Sequence, residues 1–145
     1  SQQKRKTIGS TFVIILALII FQEGGMMRRL RILFVCTSNQ LRSPTAETIY
    51  KDDGSLEVLS CGTHDTARVR VCGELINWAG IIICMDAHHR KIVERNYKKT
   101  IKESGTPLYT LSIPDVYNFM DEELILLIKE KANQIIQKEK ARMGR

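Results

Sequence analysis

Hydrophobic and polar positions change period several times along the chain. Residues 31–35, Arg31-Ile32-Leu33-Phe34-Val35, form a β-branched and aromatic run that reads as a buried strand. Pro44 suits the first position of a helix, and a helix is predicted over 45–50. Further on, 56–60 read as a second strand, 71–79 as a helix and 81–85 as a continuous apolar strand. Asp86 then stands where it would cap a helix running to about residue 102. Residues 108–113 predict a fourth strand, and a last helix is expected from 122 to about 138, with Leu124, Leu127, Ile128, Ile135 and Ile136 among its apolar positions.

Strand and helix thus alternate throughout, which implies an α/β fold: a three-layer, doubly wound, four-stranded parallel sheet with helices on both faces. In such sheets the ligand site lies at the carboxyl ends of the strands. Cys36 and Asp115 both fall at predicted ends.

The front of the chain breaks this pattern. Lys4-Arg5-Lys6 precedes an unbroken apolar run over 12–21, and Gln22-Glu23-Gly24-Gly25 follows. Ten residues cannot span a bilayer as a helix, and no small-residue cleavage pattern follows them. Residues 1–25 are therefore expected to be an extension outside the fold, with Met26-Met27 as a natural start; a membrane-associating anchor through 12–21 and a packed extra element stay open. Residues 26–145 would form a single domain, since 145 residues at 43% hydrophobic content can bury one core.

Between the first strand and first helix lies Val35-Cys36-Thr37-Ser38-Asn39-Gln40-Leu41-Arg42-Ser43-Pro44. A loop placed there points successive N–H groups inward, and the helix dipole adds positive charge, so a tetrahedral oxyanion can settle on residues 37 to 43. The same field favours a thiolate at Cys36, the attacking form. Arg42 closes the loop with a planar guanidinium that can grip two phosphoryl oxygens. Ser43 can donate to the Cys36 sulfur, and Asn39 tolerates the left-handed backbone that a tight cradle requires. A lone cysteine after a strand is usually inert, but the surrounding residues point to an anion-binding catalytic loop.

On these residues the sequence resembles the low-molecular-weight protein tyrosine phosphatases, and within them a short bacterial-type branch of predicted phosphatases. The resemblance spans roughly residues 30–136 and includes Ser60-Cys61-Gly62-Thr63, residues 78–86, and Ile113-Pro114-Asp115-Val116-Tyr117. It implies a phosphatase loop after the first strand, with Cys36 as nucleophile, Thr37, Ser38, Asn39, Gln40, Leu41, Arg42 and Ser43 holding phosphate, and Asp115 as general acid. It further implies that Asn39, Ser43 and Ser60 brace the loop, that Tyr117 and Arg68 stand beside the substrate pocket, and that the substrate is a phosphorylated protein or small aryl phosphate. No cofactor or metal is expected. A thiol-dependent arsenate reductase and a non-catalytic phosphate-binding module are the alternatives on this scaffold.

Three departures from the family pattern stand out. Leu41 occupies the place of a second cysteine that could guard the first, Val116 replaces a stiffening proline, and the region 64–70 is short. Cys61 could substitute as a redox partner of Cys36, while Cys72, in a predicted helix, and Cys84, in a buried strand, read as core residues. The four cysteines lack metal-ligand spacing, and dependence on a free thiolate fits the reducing cytoplasm. His64, His88 and His89 show no partner pattern; the adjacent pair reads as a solvated helix face, with titration near a bound phosphate as the alternative. The net charge of +6 suits an anionic substrate. Arg70 joins Arg68 as a residue that could steer it, whereas the basic residues of 90–102 look like a wet helix face. No nucleic-acid module is present, so no nucleic acid partner is expected.

Overall fold

The central strand is the one whose residues are apolar without alternation, because both its faces are covered. β1 (Leu30–Cys36) has Ile32, Leu33, Phe34 and Val35 wholly buried. A computed structural model describes residues 28–144; the expected extension 1–25, including the apolar run 12–21, lies outside the described residues. The elements continue as α1 (Arg42–Tyr50), β2 (Leu56–Gly62), α2 (Gly73–Trp78), β3 (Ile81–Cys84), α3 (Ala87–Asn96), α4 (Lys98–Ser104), β4 (Leu108–Thr110) and α5 (Glu122–Arg142). Among the described residues no helix is long and apolar enough to cross a membrane.

All pairings are parallel, in the order β2-β1-β3-β4. Period-two alternation sends Ile32, Phe34 and Cys36 to one face, where they pack with Ala46, Tyr50, Leu124 and Ile128 of α1 and α5. Leu33 and Val35 face the other way, onto Ile76, Val93 and Ile101 of α2, α3 and α4. This is the three-layer, doubly wound α/β sheet the sequence implied. The chain leaves β1 toward one face and β3 toward the other, so a crevice opens between their carboxyl ends. The loop bearing Cys36 sits there.

Several boundaries differ from the pattern, four of them with a clear physical reason. The helix expected over 86–102 is two helices, because Tyr97 leaves the helical region (φ −128°, ψ 26°) and donates its hydroxyl to the Val71 carbonyl at 3.2 Å. Cys72 is the extended residue before α2 and lies outside the helix, since 69–71 are tied to Gly62 (Gly62 N to Val69 O 2.8 Å, Val71 N to Gly62 O 2.9 Å). β4 stops at Thr110; Ser112 turns left-handed (φ 57°), although Leu111 and Ile113 still donate to the Cys84 and Met85 carbonyls at 2.9 Å. α5 runs on to Arg142, carried by buried Ile136 and Glu139, the latter accepting from the Tyr109 hydroxyl and from Arg142.

Candidate active site

The loop's backbone explains its cradle. The carbonyls of Cys36, Thr37, Ser38 and Asn39 are all taken from outside, by Thr63 N, His64 N, Arg68 N and Arg68 Nε, each at 3.0 Å. In a trans peptide the following N–H points opposite to the carbonyl, so the amides of residues 37 to 40 face inward. Asn39 takes the left-handed conformation expected of it (φ 55°). At the helix start Leu41 offers no capping side chain, which leaves the first N–H groups of α1 for an anion. Gly62 lets the strand approach: a Cβ there would stand 2.4 Å from the Thr37 carbonyl oxygen.

A buried hydrogen-bond chain aims the nucleophile. Ser43 Oγ is 2.9 Å from Cys36 Sγ. Asn39 Nδ2 donates to Ser43 Oγ (3.0 Å) and to Ser60 Oγ (2.8 Å), and Ser60 Oγ donates to Glu47 Oε1 (2.7 Å). An ionised carboxylate can only accept, so it fixes the Ser60 hydrogen on Glu47, while the Ser43 hydrogen has both the Cys36 sulfur and the Cys61 carbonyl, at 3.2 Å, as acceptors. Glu47 escaped the sequence reading. Its spacing of four from Ser43 on one helix face was the available signal.

Arg42, 2% exposed, is held by its own fork: NH1 donates to the Ile113 carbonyl at 2.9 Å and NH2 lies 3.4 Å from Thr37 Oγ1. Its Nε is 3.5 Å from Asp115 Oδ1. Asp115 reaches the loop after the chain turns at Ser112. Thr37, Ser38, Gln40 and Leu41 join Cys36, Arg42 and Asp115 around a small open cleft. Tyr117 and Arg68, expected beside the substrate pocket, are not among the residues lining this cleft. Tyr117 packs against the cluster that contains Cys36, and Arg68 Nε donates to the Asn39 carbonyl, which braces the loop from behind. Arg70 pairs with Asp65 at 2.9 Å.

Two sequence expectations are corrected. Cys61 is not set to pair with Cys36: it packs with the α2–α4 face while Cys36 belongs to the other. Burial drives the Cys61 thiol upward, and that of Cys84 up to about 12. His89 is not part of a solvated face; it is buried, while His88 beside it is exposed. His89 Nδ1 accepts from the Asp86 backbone N–H (3.0 Å) and Nε2 lies 2.8 Å from Thr37 Oγ1. The spacing Asp86-x-x-His89, a capping box with histidine at its third position, was the signal.

Burial, then the neighbouring His88 and Arg42 charges, lowers the His89 pKa to about 3, with Asp86 opposing. An unfolded imidazole titrates near ~6.5, so between these values the unfolded chain binds the extra proton. Stability is therefore full above that range and lost as pH falls. From pH 7 to pH 5 this group should cost about 2 kcal/mol. Urea unfolding at both pH values, compared between wild type and His89→Asn, checks it: the variant should lose less, and equal losses would exclude His89 as the proton acceptor.

Among the described residues, no three His, Cys, Asp or Glu side chains gather as a metal site. No family model matches the sequence, and no curated protein does. Solved structures do match. A low-molecular-weight phosphotyrosine phosphatase of Vibrio cholerae, VcLMWPTP-2, is 22% identical over 78% of this chain and 98% of its own, with a TM-score of 0.62. The low-molecular-weight protein tyrosine phosphatase SP-PTP of Streptococcus pyogenes is 19% identical over 75% and 92%, also at 0.62. The YwlE arginine phosphatase of Geobacillus stearothermophilus is 22% identical over 78% and 96%, at 0.59. The chain has the fold of the low-molecular-weight protein tyrosine phosphatases, with Cys36 ending the first strand at the head of the loop.

Proposed function

We propose that this protein is a cysteine-dependent phosphomonoester hydrolase working through a phosphocysteine, with protein phosphotyrosine or a small aryl phosphate as substrate. The observation that carries the reading is the convergence of Cys36, Arg42 and Asp115 on one cleft whose floor is made of inward amides. A phosphoryl group entering the cradle would take over the Arg42 Nε now near Asp115. Cys36 Sγ attacks phosphorus in line, the ester P–O bond breaks, and Asp115 gives its proton to the leaving oxygen. Water then attacks the phosphocysteine, Asp115 takes a proton from it, and the P–S bond breaks to release phosphate and thiolate. Ser43, 2.9 Å from the sulfur, stabilises it as nucleophile and as leaving group. Arg42 and the amides supply the positive charge, so the scheme needs no metal.

The placement of the other thiols disfavours arsenate reduction, which needs resolving cysteines within reach of the first. Cys61 and Cys84 are buried on the far face of the sheet. Dependence on a reduced thiol supports a cytoplasmic site of action.

Rapid acid quench during turnover of an aryl phosphate should trap phosphate on Cys36, and turnover should survive a chelator and yield to vanadate. Absence of any turnover across phosphotyrosine, phosphoarginine and aryl phosphates would sink the reading. Asp115→Asn then tests the acid. Phenyl phosphate, with its poor leaving group, should lose about 10²- to 10⁴-fold in kcat and p-nitrophenyl phosphate much less. Equal losses would remove Asp115 from that role.

A further inference from the structure

We propose that His89 is a positioning residue that turns the Thr37 hydroxyl into a hydrogen-bond donor aimed at the anion in the loop. This rests on the phosphate-binding reading of the cleft and deepens it, adding a side-chain donor to the backbone cradle.

The direction follows from counting donors. His89 Nδ1 receives the Asp86 backbone N–H at 3.0 Å, so that nitrogen carries no proton. The neutral ring therefore holds its proton on Nε2, which donates to Thr37 Oγ1 at 2.8 Å. Arg42 NH2, 3.4 Å away, can only donate to the same oxygen. With both lone pairs engaged, the Thr37 hydrogen must point elsewhere. Thr37 lines the cleft next to the nucleophile, and its hydrogen is left for a phosphoryl oxygen. The other acceptor within reach is His88 Nε2, at 3.5 Å, on an exposed ring; a doubly charged phosphate is the stronger competitor. Asp86 thereby acts on the loop from far away in sequence, through its backbone N–H, His89 and one hydroxyl.

Capping α3 and orienting Thr37 use different nitrogens of one ring, so they can be separated. His89→Asn offers an acceptor to Asp86 N–H but is too short to reach Thr37, whereas His89→Gln can extend a donor toward it. Inorganic phosphate binding by calorimetry and kcat/KM for p-nitrophenyl phosphate should both be measured. Thr37→Val should weaken each by about 10- to 100-fold, as for a lost hydrogen bond to a charged group, with Thr37→Ser close to wild type. His89→Asn should lose part of that, and His89→Gln should recover it. The double variant Thr37→Val with His89→Asn should be no worse than Thr37→Val, because both remove one interaction. Wild-type phosphate affinity in Thr37→Val, equal losses in His89→Asn and His89→Gln, or additive losses in the double variant would each overturn the proposal. Phosphate binding that follows the expected pattern in a protein without turnover would overturn the hydrolase reading and leave this one standing.

Discussion

Cys36→Ser should lower phosphate-ester turnover by on the order of 10⁴-fold or more, while inorganic phosphate binding stays within a few-fold of wild type. The asymmetry follows from what each part of the loop contributes. Binding rests on the inward amides and Arg42, which the substitution leaves alone: the Cys36 carbonyl still receives Thr63 N–H, and residues 37 to 39 keep their own outer partners. Turnover needs a thiolate that attacks phosphorus and later departs from it. A hydroxyl is poor at both. Ser43 cannot substitute: it is fixed behind the sulfur by Asn39, and its oxygen lies 3.2 Å from the Cys61 carbonyl. Steady-state kinetics together with phosphate calorimetry decide the matter. Retained turnover would make Cys36 a bystander, and lost binding would make the substitution a disruption of the cradle.

Gly62→Ala should carry the next largest loss, without touching a group that reacts. An added Cβ would meet the Thr37 carbonyl oxygen at 2.4 Å, the Ala67 Cβ at 2.7 Å and the Asn39 amide nitrogen at 2.9 Å. Two of these are backbone atoms of the cradle, and Gly62 itself is pinned by β2 pairing with Cys36 and by Val69 and Val71. Something must move by most of an ångström. A displacement of that size in a positioned loop costs about 10²-fold in turnover, and overpacking costs about 1–3 kcal/mol in stability. Gly54→Ala is the control, since nothing lies within 4 Å of a Cβ there. If both alanine variants keep wild-type kcat/KM and unfolding midpoint, the close approach of β2 to the loop is not a constraint.

The parts of the molecule legible in sequence were those whose signals are local. β1 reads as buried because a central strand needs apolar residues on both faces, and Cys36, Asn39, Arg42 and Ser43 lie within eight residues of one another. The parts that were not legible depend on partners distant in the chain. Tyr97 breaks a helix for the sake of Val71, and residue-by-residue propensity does not contain that contact. His89 looked like half of a solvated pair because its partner, Thr37, is 52 positions away. Cys61 is a different case. If Ser60 faces the loop, strand alternation already sends Cys61 to the opposite side, so the pairing with Cys36 was excluded by parity alone. Arg68 and Tyr117 were matched to the pocket by position, and the bond from Arg68 to the Asn39 carbonyl could not be read from that match.

The bond from Arg42 to the Ile113 carbonyl spans 71 positions. A guanidinium that is almost wholly enclosed is tolerable only when its donors are met, and this donor is met by a segment near the end of the sheet. A chain cut short of residue 113 would lack this acceptor and leave the arginine only the Thr37 hydroxyl, 3.4 Å away. The nucleophile and its arginine are neighbours in sequence, but the carbonyl that steadies the arginine comes from the segment after the last strand.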